Sequence, residues 1–345
     1  MIDLRSDTLT LPDDKMLEYM LQAPVGDSGR LDKDGYGDDP SVNALCDYAA
    51  ALLKKERAIF LPSGTLANHV ALLTWCSAGD EVLVERGSHI YNVEKAAFES
   101  RFGQLEPIFY KQDKTGTLDI EGLEQAILSN NPKLICIENT HNSLGGCCIS
   151  LSDMERLAQI ASREKIPVHM DGARLFNAAT ALGVDASEIC KYVDSVMFCV
   201  SKGLGAPIGS ILCGSKEFIL KASSTQKLLG GCMRQAGSIA AAGLYALKHN
   251  IETLRVDHLR AKYVCEQLQG LEYISAPKEI QSNIIVLDVV QTGVPVQEFI
   301  EKAKEKGLWL SVSSGIRARM VFHKNITDEQ VHQVVEIMKS LDKKY

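Results

Sequence analysis

The 345-residue sequence has no Cys-x-x-Cys pair, and its eight histidines form neither His-x-x-x-His nor His-Glu-x-x-His. Those absences argue against zinc ribbons and metallohydrolase helices. No run of about 18 apolar residues occurs, so no helical membrane span is expected. There is no basic block either. Lys and Arg number 37 against 44 Asp and Glu, a net charge of −7, which excludes a general binder of nucleic-acid phosphates. The opening MIDLRSDTLTLP lacks the apolar core of a signal peptide, so a soluble, cytoplasmic protein is expected. The ten cysteines lie mostly in apolar runs such as LICI around Cys136 and MFCV around Cys199, and read as reduced, packed thiols.

What is present is a globular chain, 46% hydrophobic, long enough for roughly two domains of about 150 residues. From about 40 to 250, short apolar runs (RAIFLP, EVLVER, KLICIENT, PVHMDG, SVMFCV) alternate with amphipathic helices such as ISLSDMERLAQIASREK. That alternation predicts an α/β domain over 41–250 with a largely parallel sheet covered on both faces. The pattern changes near 250, and 251–345 reads as a smaller α+β domain. Residues 1–40, with Pro12 and Pro24, read as an N-terminal arm laid over a surface.

Three strand ends carry the candidate chemistry. SVMFCVSKGLGAPIGSILCG delivers Lys202 into a glycine-rich loop between two apolar strands. Gly203, Gly205 and Gly209 mimic a dinucleotide fingerprint, but Pro207 interrupts and no helical period follows, as that motif requires. Lys202 is either a surface lysine or a desolvated amine suited to Schiff-base chemistry. PVHMDGAR ends a strand with Asp171 and then Arg174. Asp171 is either a helix cap or the carboxylate that a protonated pyridine nitrogen needs. FLPSGTLANHVAL runs from a strand into Ser63, Gly64 and Thr65, an ordinary helix cap or a phosphate cradle.

Taken in this order the motifs resemble the threonine aldolases, fold type I pyridoxal-phosphate (PLP) enzymes. The similarity runs through RSDT (5–8), YGDDPSVN (36–43), LPSGTLAN (61–68), SHIY (88–91), ENTHN (138–142), MDGARLFNA (170–178), SKGLGAPIGS (201–210) and MRQAG (233–237). It implies a large domain built on a mostly parallel seven-stranded sheet, a small C-terminal α+β domain and pyridoxal 5′-phosphate as cofactor. It also implies cleavage of threonine or allo-threonine to glycine and an aldehyde. By the same resemblance, Lys202 would bond the cofactor, Asp171 would hold the pyridinium, and Gly64 and Thr65 would hold the phosphate. His89 would stack on the ring near the reacting hydroxyl, unless it is a strand-end histidine satisfied by backbone. Arg174 would sit beside the phenolic oxygen and the substrate carboxylate, and Ser6 and Arg319 would bind that carboxylate. Arg317 competes with Arg319 for the role. Tyr36, Lys227 and Arg234 match positions that reach a neighbouring subunit's site, implying a homodimer or homotetramer; for Lys227 a plain surface charge is the alternative. The rivals are another PLP reaction on this scaffold (β-elimination, racemisation, transaldol transfer) and a non-catalytic regulator. Departures from the family include the extra SGRLDKDG (28–35) beside Tyr36, Lys95 after Glu94, Cys232 before the MRQ motif and Cys147–Cys148 after a glycine pair.

Overall fold

A computed structural model describes every residue of 1–345 except Ser314. Its strands are β1 (Ile2–Asp3), β2 (Arg57–Leu61), β3 (Glu81–Glu85), β4 (Glu106–Tyr110), β5 (Leu134–Glu138), β6 (Val168–Asp171), β7 (Ser195–Cys199), β8 (Ser210–Gly214), β9 (Ile284–Asp288), β10 (Leu308–Trp309), β11 (Ser311–Ser313) and β12 (Arg317–Val321). Seven of them form one sheet in the order β2-β8-β7-β6-β5-β3-β4. Strand β8 runs antiparallel to both neighbours, and the other pairings are parallel. Every residue of β5, β7 and β8 is buried, which is why LICIE, SVMFC and SILCG read as continuous apolar runs without alternation. Phe198 of β7 is fully buried and meets Phe176 edge-on at 5.2 Å. Truncating such a side chain costs about 3–5 kcal/mol.

Strand β4 escaped the reading of apolar runs. It lies at the sheet edge, carries Pro107 and is only partly buried, so both composition and pattern are weak there.

Parallel pairing sends the C-terminal ends of β3, β5, β6 and β7 to one edge. Glu138 and Asp171 end their strands in register with each other. His89 follows β3 and Lys202 follows β7 within a few residues. In open α/β sheets that edge is where ligands bind. The loop after Lys202 leads into β8 rather than a helix, with Gly205 at φ +80° and Gly209 at φ +117°, so no dinucleotide-type helix start exists there.

Strands β11, β12 and β9 form an antiparallel sheet. Helices Leu254–Gln267, Val296–Glu305 and Asp328–Leu341 share its core, which includes Phe299, Met320 and Met338. The N-terminal segment does more than cover a surface. Strand β1 pairs parallel with β10, and Ile2 and Leu4 are buried in this second core. The chain then crosses to the large sheet, where the Thr10 hydroxyl donates to the Lys202 carbonyl. All ten cysteines are free, and only Cys232 is exposed. No described helix is long and apolar enough to cross a membrane.

Candidate active site

Ser6, His89, Asp171, Arg174, Lys202 and Arg319, drawn from five separate segments, line one cavity of about 140 Å³. The long parallel connections bring together groups far apart in sequence.

The two arginines differ. Arg174 is buried and forks onto Asp7, with Nε donating to Oδ2 and Nη2 to Oδ1, both at 2.7 Å. Burial alone would raise the Asp7 carboxyl, but the guanidinium outweighs it and holds the group below its ordinary value. Arg319 has no carboxylate within ion-pair distance among the described residues. Its Nε donates to Ser311 Oγ at 3.2 Å, and Nη1 donates to Asn142 Oδ1 at 3.2 Å, an oxygen that also accepts from Arg174 Nη1 at 3.0 Å. Burial first, and the Arg174 charge second, push the Arg319 pKa below its ordinary value. A cation so placed favours an incoming anion. Arg317 is exposed, two residues along the same strand.

Asp171 is almost fully buried. Its Oδ1 accepts from Ala173 N–H and its Oδ2 from Asn68 Nδ2, both at 3.0 Å. The Asn68 amide also donates to Glu94 Oε2 at 3.1 Å, and Glu94 Oε1 lies 3.2 Å from His89 Nδ1. That hydrogen bond raises the His89 pKa against the opposing effect of burial, with Asp171 and Glu138 adding to the rise. The His89 backbone N–H donates to Glu138 Oε2 at 2.6 Å, while Glu138 Oε1 accepts from Asn142 N–H at 2.8 Å. One buried carboxylate therefore ties the loop after β3 to the loop after β5.

Gly64 and Thr65 open the helix Gly64–Trp75, where Ser63 Oγ caps only Leu66 N–H and no acidic side chain occupies the first turn. A Cβ at Gly64 would approach Cys199 Sγ to 2.9 Å and Met197 Cε to 3.0 Å, so any larger residue would have to push these side chains aside for the helix to start flush against β7. The same helix carries Asn68 to Asp171, fixing its N-terminus relative to the cavity. Thr140, which lines the cavity, leaves its buried hydroxyl without a partner among the described residues. An amine, a buried carboxylate, a helix N-terminus free for an anion and an unsatisfied hydroxyl are a donor set that fits pyridoxal phosphate.

Tyr36, Lys227 and Arg234 are not in the cavity wall. Tyr36 donates to Asp47 Oδ1 at 2.9 Å beneath the Arg57 guanidinium, 3.5 Å from the ring centroid. Arg234 pairs with Asp27 at 3.1 Å on the surface, and Lys227 is exposed in the last turn of its helix. Sequence reading overlooked Asp7, Asn68, Glu94, Glu138 and Asn142. Each except Glu94 stands inside a quoted motif, but only Asp7 stands beside a residue that was given a role, Ser6.

The profile of the beta-eliminating lyase family matches residues 3–290. The chain is 40% identical over 343 residues to low-specificity L-threonine aldolase 1 of Arabidopsis thaliana, covering 96% of this chain and 93% of that one. It is also 40% identical over 344 residues to the low specificity L-threonine aldolase of Escherichia coli K12, covering 97% of each. The structure of Leishmania major threonine aldolase superposes with a TM-score of 0.81 at 18% identity, covering 99% of both chains, so the fold is shared. With this cavity and these relatives, the chain belongs to the beta-eliminating lyase family, as a fold type I pyridoxal-phosphate enzyme of the threonine aldolase kind.

Proposed function

We propose that the chain cleaves threonine-type β-hydroxy-α-amino acids by a retro-aldol reaction, giving glycine and an aldehyde. One observation carries the reading: Arg319 is a half-buried cation without a carboxylate partner among the described residues, in the cavity that also holds Lys202 and His89, while Asp7 has already neutralised Arg174. When bound, pyridoxal phosphate supplies a sink for the electron pair left on Cα as Cα–Cβ breaks.

Gly64 and Thr65 would hold the phosphate at the helix N-terminus, Asp171 the protonated ring nitrogen and Lys202 the aldehyde carbon. His89 would lie against the ring, and Arg174 beside the phenolic oxygen. Arg319, with Ser6, binds the substrate carboxylate and orients the Cα–Cβ bond. His89 Nε2 takes the β-hydroxyl proton, directly or through a water; positioned proton transfer contributes about 10²–10⁴-fold.

The active unit is at least a dimer, in which Tyr36, Lys227 and Arg234 serve the neighbour's site. All three lie outside their own chain's cavity wall, and the apolar Leu228 and Leu229 beside Lys227 are exposed, as a face awaiting a second copy would be.

A second reading, β-elimination, is the reaction in the family's own description. Incubation with L-threonine and L-allo-threonine separates the two. Glycine and an aldehyde in equal amounts are expected; a 2-oxo acid with ammonia would instead assign β-elimination.

A further inference from the structure

His89 owes its place to a backbone feature that its sequence conceals. Residues Ile90–Glu94 form a π-turn, with Lys95 N–H donating to Ile90 C=O at 3.1 Å. Closure at i→i+5 brings residues five apart together, whereas an α-helix stacks those three and four apart. Glu94, five residues after His89, thus reaches His89 Nδ1. Its side chain is only 3% exposed, against 34% for His89.

The orientation of the groups behind Glu94 follows from two carboxylates: Asn68 turns its amide N–H groups to Asp171 and Glu94, and so its oxygen to His169. Burial drives the His169 pKa down to about 4, so the ring is neutral. His169 Nε2 therefore donates to Asn68 Oδ1 at 3.2 Å, which leaves the neutral ring's Nδ1 to accept from Ser195 Oγ–H at 3.0 Å. Trp75 Nε1 can only donate, and it does so to Ser195 Oγ at 2.9 Å. Glu94 is held as an acceptor, and His89 Nδ1 must be the donor that meets it.

We infer that Glu94 is a positioning residue that fixes His89 as the Nδ1–H tautomer and aims its Nε2 lone pair into the cavity. The inference deepens the proposed function, since it supplies the proton acceptor in its competent form. The carboxylates facing His89 are Glu94, Asp171 and Glu138, the cations Lys202, Arg174 and Arg319 line the same cavity, and His69, on the helix beside it, faces Glu94.

The test uses the full-length chain with labelled histidine, with and without pyridoxal phosphate, and reads ring nitrogen shifts by NMR; His89→Gln assigns the signal. The wild type shows Nδ1–H and a His89 titration above the ordinary range. Glu94→Gln moves the titration downward and mixes the tautomers. Glu94→Asp retains the charge and restores the upward shift in part, which a purely steric role would not do. In the loaded enzyme Glu94→Gln moves the acid limb of kcat/KM to lower pH and lowers kcat about 10²-fold, with KM little changed. An unchanged tautomer and titration in both variants overturns the inference. A changed tautomer with an unmoved rate profile supports it, and overturns instead the reading of His89 as proton acceptor.

Discussion

Behind Asp171, Ser195, His169 and Asn68 are buried and Trp75 is half-buried, and each has a partner in the same chain. Around Tyr36 and Arg234, the polar groups stand at the surface and pair with Asp47 and Asp27. The contrast follows from solvent. A buried polar group left unpaired costs about 1–3 kcal/mol, so this set behind Asp171, unlike the Thr140 hydroxyl that lines the cavity, folds complete and admits little rearrangement. Exposed pairs are screened and hold their partners weakly. The rim can therefore exchange its aspartates for groups on a second copy, and the inner wall cannot.

Substitutions can break or sharpen this contrast, beginning with the most severe. Lys202→Ala removes the amine that would bond the cofactor, and turnover should vanish together with the cofactor's covalent absorbance; retained cleavage of threonine would refute the assignment. Asp7→Ala leaves Arg174 buried without its counter-charge, a loss of about 3–5 kcal/mol in urea unfolding. A change as small as that of a surface pair would mean that the inner wall is not self-contained. Arg319→Lys keeps the charge but loses the planar fork, and with about 1.5–3 kcal/mol in charge-assisted hydrogen bonds at stake, KM should rise about tenfold or more. An unchanged KM would move carboxylate binding elsewhere.

The smallest effects concern pH. Burial lifts the Asp257 carboxyl, whose two oxygens have no partner among the described residues, from 3.8 to about 7. The folded chain then keeps a proton the unfolded chain has lost, so the contribution is complete below about pH 4 and disappears as pH rises through 7. Asp257→Asn should raise Tm at pH 8 more than at pH 5; equal shifts would contradict this origin. His169, depressed to about 4 by burial, has the opposite sign. Its contribution is present above pH 6.5 and falls as the pH drops toward 4.

Much of the site could be read from strand ends. Lys202, Asp171 and Gly64 each close an apolar run, which marks them before any fold is known. Arg319 came only from resemblance, because nothing local separates it from Arg317. Asp7 was hidden because its partner lies 167 residues away. Glu94 was hidden because a π-turn pairs residues five apart, a spacing no helical or strand period anticipates. The added segment 28–35 lies against its own chain: the Ser28 hydroxyl meets the carbonyls of Met233 and Arg234 at 2.9 and 2.7 Å, and Asp34 pairs with Lys216. Beside Arg234, it belongs to the rim.

The difference between wall and rim is tested most directly by co-expressing Lys202→Ala with Arg234→Ala, each expected to be inactive alone. If the rim serves the neighbour, half of the dimers are hybrids with one intact site each, and about a quarter of wild-type activity returns. If each chain completes its own site, the mixture stays as inactive as its components, and the shared rim is wrong.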